Sequence, residues 1–187
     1  DFSELIKNIL IIPVGSVVNS QEQAYQSNFG WSYLNQQVSV DEPAHVKKVT
    51  DIELLNPIHQ YYFSNMFLMG GYQNLHTLQY LGPLLSKVNP LGLLQVRANL
   101  TLQQEKRGRS LFHTDFDPLE HTSMITSIFY MNTTNGPTLL EDGTEIECRA
   151  NRLVSYSSNT YHAWASCTDQ PYRVIINLNY FKDLDFS

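Results

Sequence analysis

The clearest pattern of hydrophobic and polar positions lies between residues 93 and 103, where the two kinds alternate one for one. The apolar set is Leu94, Val96, Ala98, Leu100 and Leu102, and the polar set is Gln95, Arg97, Asn99, Thr101 and Gln103. Because successive side chains of a β-strand point to opposite faces, this alternation predicts a strand with one buried face. The polar face either meets water or lines the pocket of a barrel, and the pattern alone leaves both readings open.

Shorter segments that favour β-structure continue to the end of the chain. They span residues 123–132, 138–140, 144–149, 152–157 and 172–181. Asn135-Gly136 and Asp142-Gly143 are strong turn signals between them. Short strands separated by turns at this spacing are typical of a sandwich or a barrel.

Upstream of residue 92 a helical period replaces the alternation. Apolar residues recur at three- and four-residue steps, at Leu75, Leu78, Leu81, Leu85 and Val88. This stripe predicts an amphipathic helix over 73–88 that covers the outer face of a sheet. Pro83 lies inside the stripe and predicts a kink or a break there.

The first seventy residues carry weaker signals. The sequence predicts a short strand over 9–12, a short helix from about Ser20 to 28–30, and a strand within 30–34. Residues 35–50 are polar and are interpreted as a loop. Residues 51–69 mix aromatic and apolar side chains, which we expect to pack or to line the edge of a cleft.

Size and composition narrow the class of protein. At 187 residues with 42% hydrophobic residues, we expect a single folded domain over 1–187. The net charge of −6 argues weakly against binding to nucleic acid, which needs a basic face. No apolar run is long enough for a membrane span, and the first residues do not resemble a signal peptide, so a cytoplasmic protein is expected. We interpret Cys148 and Cys167 as ordinary thiols, although a bridge between them stays open.

The candidate chemistry centres on His113 and Asp115, which lie two positions apart and would share one face of a strand. A second imidazole follows at His162. Two histidines and one carboxylate are the ligand set of non-haem Fe(II) oxygenases, which leaves coordination positions for substrate and O₂. The bland alternative is two unrelated histidines and a turn aspartate.

The order His-x-Asp, His162 and then Arg173 resembles the Fe(II)/2-oxoglutarate-dependent dioxygenases, in particular the prolyl-hydroxylase-like branch, including forms carried by phages and marine bacteria. The resemblance covers about residues 92–181. It implies a mainly β fold with flanking helices, a double-stranded β-helix (jelly roll, cupin-like), in which residues 1–91 form a cover and 92–181 the core. It also implies Fe(II), with 2-oxoglutarate and O₂ as cosubstrates, and hydroxylation of a substrate with release of succinate and CO₂.

The resemblance also assigns cosubstrate residues. Arg173 would bind the distal carboxylate of 2-oxoglutarate through paired hydrogen bonds. Tyr130, in Ile128-Phe129-Tyr130-Met131-Asn132, matches a tyrosine that donates to the same cosubstrate; the alternative is a core tyrosine. Residues 135–140 are similar to the family's Gly-Gly-x-Thr-x-Phe turn and depart from it at Pro137 and Leu140.

The remaining expectations concern the pocket and the partners. Arg97, Asn99 and Asn177 are candidates to line the pocket, and no residue beyond the metal centre is expected to act as a general base. The substrate would be a protein side chain such as proline, or a small molecule. The chain would be a monomer or a homodimer, and the basic segment 105–109 is either a solvated loop or a lip for an acidic substrate.

Competing classes leave different signatures. A non-catalytic cupin-like binding module would share the barrel without redox chemistry, and it need not keep Arg173. Asp115 argues against a halogenase, where a small residue takes the carboxylate position. A nucleic-acid demethylase usually carries a second arginine six residues after the first, where Asn179 stands. A zinc hydrolase would need a general base that the sequence does not offer.

Overall fold

The protein is described from a computed structural model that covers residues 2, 3, 5, 32–34, 62–70, 72–73, 78–116 and 123–182. The predictions at 9–12, at 20–30 and at 35–50 lie outside the described residues. Within them, ten strands form two antiparallel sheets, and a short helix lies between the third and fourth strands. No helix in these ranges is long and apolar enough to cross a membrane.

The elements are named in chain order. They are β1 (Ser32–Leu34), β2 (Tyr62–Met69), β3 (Tyr72–Gln73), a 3₁₀ turn (Gln79–Leu81), α1 (Gly82–Val88), β4 (Gly92–Leu102), β5 (Met124–Tyr130), β6 (Thr138–Leu140), β7 (Glu145–Ile146), β8 (Leu153–Ser157), β9 (His162–Trp164) and β10 (Tyr172–Phe181).

The larger sheet has the strand order β1-β2-β4-β10-β5-β8, with β3 paired to β2. Its centre is the long antiparallel pair of β4 and β10, in which Ala98 lies opposite Ile176 and Arg97 opposite Asn177. The alternation predicted for 93–103 is confirmed as β4. Val96 and Ala98 enter the main apolar core, so the polar positions of β4 face the other way, toward the second sheet.

The predicted helix over 73–88 is wrong at its beginning. Gln73 belongs to β3, a 3₁₀ turn covers Gln79–Leu81, and α1 begins only at Gly82. Pro83 therefore lies in the first turn of α1, where its missing N–H and fixed φ do no harm, and no kink results. The expected packing is confirmed, because buried residues of α1 share the main core with β4.

The smaller sheet has the order β7-β6-β9. The Asp142-Gly143 turn joins β6 to β7 as predicted: Gly143 has a φ of +90°, and the Asp142 carboxylate accepts the Thr144 N–H at 2.8 Å. On the far side of β9, isolated bridges pair Arg109 with Ala165 and His113 with His162. The strand predicted over 144–149 is shorter in the structure, where β7 is Glu145–Ile146.

The chain crosses repeatedly between the two sheets. It runs from β4 to the segment at 109–113, then to β5, to β6 and β7, to β8, to β9 and back to β10. This alternation defines a double-stranded β-helix of the jelly-roll, cupin-like type. The strand β2, which the sequence did not predict as a strand, widens the larger sheet beside β4. The site described next lies between the two sheets.

Candidate metal centre

His113 and His162 lie directly opposite each other at the edge of the smaller sheet. The His113 N–H donates to the His162 carbonyl at 3.0 Å, and the His162 N–H donates to the His113 carbonyl at 2.9 Å. Opposed residues of such a pair project to the same side. Their imidazole rings accordingly lie 4.7 Å apart between centroids.

Asp115 completes the cluster. One ligand atom from each of His113, Asp115 and His162 lies within 4.8 Å of the others. All three side chains are buried. The predicted strand through 113–115 is reduced to the single bridge at His113, and Asp115 follows in a bend. It is the only cluster of metal-ligating side chains found in the described part of the chain.

Each imidazole is oriented by a backbone carbonyl. The Leu111 carbonyl lies 3.0 Å from His113 Nδ1, and the Thr160 carbonyl lies 3.2 Å from His162 Nδ1. Because a carbonyl only accepts hydrogen bonds, Nδ1 carries a proton in both rings, and the neutral form of each ring has its lone pair on Nε2. This is the tautomer that a metal-ligating histidine needs, with its second nitrogen donating to an outer partner.

The Asp115 carboxylate is held by donors from the larger sheet. Oδ1 accepts from Arg97 at 3.1 Å and from Asn177 at 3.3 Å. Oδ2 accepts from Asn177 at 3.0 Å and from Asn179 at 2.9 Å. Asp115 therefore connects the two sheets, since its neighbour His113 pairs with the smaller one.

The electrostatics keep His113 and Asp115 in their metal-binding protonation states. Burial, and after it the charge of His162, lowers the pKa of His113 to about 4. Burial alone would raise the pKa of Asp115, but His162, Arg97 and His113 and the Asn179 hydrogen bond outweigh it and hold that pKa well below its usual range. At neutral pH, His113 is thus neutral and Asp115 is ionised.

This arrangement can bind a divalent metal ion. Two neutral imidazoles and one carboxylate suit Fe(II) among other first-row metals, and the carbonyl contacts of both rings supply the outer support that such ligands usually have.

A small enclosed cavity joins this cluster to Arg173. Residues of both sheets line it, and they include His113, His162 and Arg173. Its volume is about 20 Å³, room for one water molecule, so a larger ligand would have to move its walls apart.

Arg173 is a buried guanidinium on the interior face of β10. Its Nε donates to the Gly136 carbonyl at 2.9 Å, and one terminal nitrogen donates to Thr138 Oγ1 at 3.0 Å. Further N–H groups of the guanidinium remain for a ligand, because five are available in all. The Tyr130 ring lies 5.6 Å from the guanidinium carbon, and the Tyr130 hydroxyl donates to Thr138 Oγ1 at 2.7 Å.

Two threonines beside Arg173 were missed by the sequence reasoning. Thr138 Oγ1 accepts from both Tyr130 and Arg173, so its own hydrogen remains to be donated to another group. Thr101 is the cross-strand partner of Arg173, lines the cavity, and has a buried hydroxyl with no hydrogen-bond partner among the described residues. The signals were present: Thr138 stands in the quoted turn, and Thr101 lies on the polar face of β4.

The three predicted pocket residues occupy different positions. Asn99 and Asn177 line the cavity, and Asn99 also accepts a hydrogen bond from Ser64 at 3.1 Å. Arg97 reaches Asp115 instead. Asn179, not predicted as a site residue, is the other amide that holds Asp115. Cys148 and Cys167 are both free, buried thiols, and neither is among the described residues that line the cavity.

No protein-family model matches the chain, and no curated protein matches it either. Among solved structures it is similar to the non-haem α-ketoglutarate-dependent epimerase SnoN from nogalamycin biosynthesis, with 14% identity over 65% of this chain and 61% of that chain, at a TM-score of 0.48. The nickel complex of the non-haem monooxygenase ThoJ has 11% identity over 58% of this chain and 50% of that one, with a TM-score of 0.42.

A predicted oxalate decarboxylase from Thermotoga maritima has 8% identity over 65% of this chain and 82% of that one, with a TM-score of 0.41. The chain thus spans less than two thirds of the length of SnoN and of ThoJ. At this level of similarity the neighbours do not bear on activity. The fold and the site together define a jelly-roll protein with a buried His-Asp-His cluster able to bind a metal ion.

Proposed function

We propose that this protein is an Fe(II)- and 2-oxoglutarate-dependent oxygenase that hydroxylates a substrate and releases succinate and CO₂. The observation that carries the proposal is the shared cavity, which is lined both by His113 and His162 and by the buried cation of Arg173. A metal-binding cluster alone would fit many activities. A buried guanidinium opening into the same cavity adds a site for the carboxylate of a metal-chelating dicarboxylate.

The metal would be held by His113, Asp115 and His162. At neutral pH His113 is neutral and Asp115 is ionised, which are the forms that bind a metal, so binding would not have to remove a proton from His113. Three protein ligands would leave coordination positions for a bidentate cosubstrate and for O₂.

The distal carboxylate of 2-oxoglutarate would be held by Arg173 with the hydroxyls around it. Thr138 has a hydrogen to donate, and Thr101 has a buried hydroxyl that lacks a partner among the described residues. Tyr130 would act mainly through Thr138, to which its hydroxyl donates. An unpaired buried hydroxyl costs free energy, so a carboxylate that accepts from it would be favoured.

When bound, iron and 2-oxoglutarate supply the oxidising chemistry: one atom of O₂ enters a substrate C–H bond and the other enters succinate as CO₂ is lost. The protein's part is to orient the imidazoles through Leu111 and Thr160, to fix Asp115 through its amide donors, and to exclude water from the cavity. No side chain need act as a general base.

The substrate we propose is a protein side chain such as proline, or a small molecule. The prolyl-hydroxylase-like character rests on the sequence resemblance over about residues 92–181. A nucleic-acid substrate is less favoured, because Asn179 stands where a nucleic-acid demethylase usually carries a second arginine. Asn179 instead donates to Asp115.

The deciding experiment is an anaerobic titration of Fe(II)-loaded protein with 2-oxoglutarate. An iron-bound 2-oxo acid gives a weak visible charge-transfer absorption, which we expect to appear and saturate in the wild-type protein. His113→Ala should abolish it by removing a metal ligand. Arg173→Met should require much higher 2-oxoglutarate concentrations.

The matched control is Arg149→Met, because Arg149 is an exposed arginine paired only with Glu147 among the described contacts. It should titrate like the wild type. Thermal unfolding must show that each variant is folded. If Arg173→Met does not fold, Arg173→Lys replaces it, because lysine keeps a buried positive charge. A folded protein that binds Fe(II) but never develops the absorption would contradict the oxygenase and identify a metal-binding module instead.

A further inference from the structure

Arg97 is a cation beside the metal cluster whose role neither the ligand set nor the cosubstrate site explains. It lies on the interior face of β4, across from Asn177 of β10. Its terminal nitrogen contacts Asp115 Oδ1 at 3.1 Å. The Asp115 side chain is only 1% exposed, whereas that of Arg97 is 15% exposed. Arg97 thus connects the buried cluster to solvent.

The guanidinium of Arg97 is incompletely paired. Its Nε is buried and has no hydrogen-bond partner among the described residues. An anionic acceptor placed there would therefore form a charge-assisted hydrogen bond with Nε, which is stronger than a hydrogen bond between neutral groups. A planar guanidinium with one edge on Asp115 still presents other N–H groups to such an acceptor.

The balance of charge gives the sign of that acceptor. In the metal-free protein, Asp115 neutralises Arg97. A divalent metal bound to Asp115 would draw on that same negative charge. A dicarboxylate would then offset Arg173 and part of the metal's charge, which leaves one positive charge over in the assembled site.

Among the described residues, Asp115 is the acidic side chain that pairs with Arg97, and the metal would draw on its charge. Of the described residues that line the cavity, none is acidic. An unbalanced charge in a largely buried place is costly, so the assembled site favours an additional anion. Arg97 is the cation that solvent reaches, and a ligand arriving from outside would meet it.

We propose that Arg97 is an anion-binding subsite for the primary substrate, which presents a carboxylate or a phosphate group beside the metal. This inference rests on the metal and cosubstrate sites proposed above. It narrows the substrate to acidic small molecules, or to peptides whose target residue lies next to an anionic group. It also makes anion binding depend on the metal, because only the metal withdraws Asp115 from Arg97.

The test follows the Arg97 Nε–H resonance by NMR in ¹⁵N-labelled protein loaded with zinc, as a redox-inert metal, and with 2-oxoglutarate. The resonance is assigned by its absence in Arg97→Lys. Titration with sodium acetate should shift it saturably, and neutral acetamide should not. Inorganic phosphate in a parallel titration shows which of the two anions the subsite prefers.

Metal dependence is the second expected result. In the metal-free protein, acetate should bind at least about tenfold more weakly, because the Asp115 contact then competes. The Nε–H of Arg149 is the internal control, since its exposed pair with Glu147 does not depend on the metal. It should shift little and without saturation.

Several results would overturn the subsite. One is the absence of a saturable shift at Arg97 with either anion, and another is an equal shift with and without zinc. A third is a shift confined to His113 and His162, which would mean that acetate simply ligates the metal. Failure of the metal centre is separate: zinc itself would then leave the His113 and His162 resonances unchanged before any anion is added.

Discussion

His113 and His162 face each other across a reciprocal pair of backbone hydrogen bonds, 3.0 and 2.9 Å long. Two imidazoles from distant parts of the sequence are thereby held side by side by the backbone, and the Leu111 and Thr160 carbonyls then orient the rings. The backbone sets the site, and the side chains can be exchanged without breaking the bridge. The metal-binding role of His113 and His162 can therefore be tested by replacing their side chains.

Replacing either His113 or His162 by alanine should therefore lower metal affinity much more than stability. Each variant loses one of three ligands, and the loss should exceed the roughly 10–100-fold typical of removing only an outer hydrogen-bond partner of a ligand. Isothermal titration with Ni²⁺, an air-stable substitute for Fe(II), measures it. Unchanged Ni²⁺ affinity in both variants would remove the cluster as a metal site.

Arg97→Gln should destabilise the metal-free protein and be rescued by metal. Removing one partner of a largely buried ion pair leaves Asp115 undercompensated, at a cost of about 2–3 kcal/mol. A bound metal supplies the missing positive charge, so Ni²⁺ should raise the unfolding midpoint more in this variant than in the wild type. Urea unfolding with and without Ni²⁺ measures both quantities.

The control for that experiment is Arg149→Gln. Arg149 and Glu147 are both exposed, and such pairs contribute about 0–1 kcal/mol. Its stability should barely change, and its response to Ni²⁺ should equal that of the wild type. If Arg97→Gln loses the same stability in the metal-bound and metal-free states, Arg97 supports the fold and not the charge of the metal site.

Most of the fold that the sequence could predict followed from the regular alternation of apolar and polar residues. In β4 and β10 one face is apolar and the other polar, so period and register follow from residues such as Val96 and Arg97. β2 gave no such signal, because apolar residues stand on both of its faces: Phe67 enters the main core, whereas Tyr62 lines the cavity. A strand buried on both sides loses the period-2 pattern.

The surroundings of Asp115 could not be predicted for a different reason. The ligand type was visible in His113-Thr114-Asp115, but its partners Asn177 and Asn179 come from a strand more than sixty positions later. Only the bend after His113, which turns the carboxylate toward the larger sheet, brings them together. The predicted beginning of α1 was wrong for a local reason. Proline breaks the interior of a helix but is favoured in its first turn, which is where Pro83 lies.

Acid should destabilise the metal-free protein in a defined window. His113 has a folded-state pKa of about 4, below the usual 6.5, so the unfolded chain takes up a proton that the folded chain excludes. Stability from this residue is therefore complete above about pH 6.5 and is lost as the pH falls toward about 4, by an amount on the order of 3 kcal/mol. Asp115, whose pKa is lowered, adds a further loss at still lower pH.

Urea unfolding of the metal-free protein at several pH values between about 7 and 4 measures this effect. The His113→Gln variant has no imidazole at this position, so its stability should fall less over the same range. A wild-type protein whose stability does not change between about pH 7 and 5 would show that His113 titrates normally and that the imidazole is more accessible to water than the structure indicates.

Gly136→Ala should disturb the Arg173 side of the cavity more than the His113–His162 side. A Cβ at this position would lie 2.6 Å from the Ala165 carbonyl oxygen and 3.0 Å from the Cys167 nitrogen, so backbone has to move. The cost should be about 1–3 kcal/mol of stability. Because the Gly136 carbonyl accepts the Arg173 Nε–H at 2.9 Å, the same shift should displace the guanidinium. We therefore expect weaker 2-oxoglutarate binding in the anaerobic Fe(II) titration, with Ni²⁺ affinity nearly unchanged.

The matched control is Gly82→Ala, where an added Cβ meets nothing within 4 Å and the position begins α1. That variant should keep its stability and both affinities, since alanine suits a helix better than glycine does. Equal losses of metal and 2-oxoglutarate affinity in Gly136→Ala would indicate a general loosening of the smaller sheet. A selective loss of 2-oxoglutarate affinity would show that the Asn135-Gly136 turn, in the loop that precedes β6, sets the position of Arg173 and so affects the binding of the carboxylate.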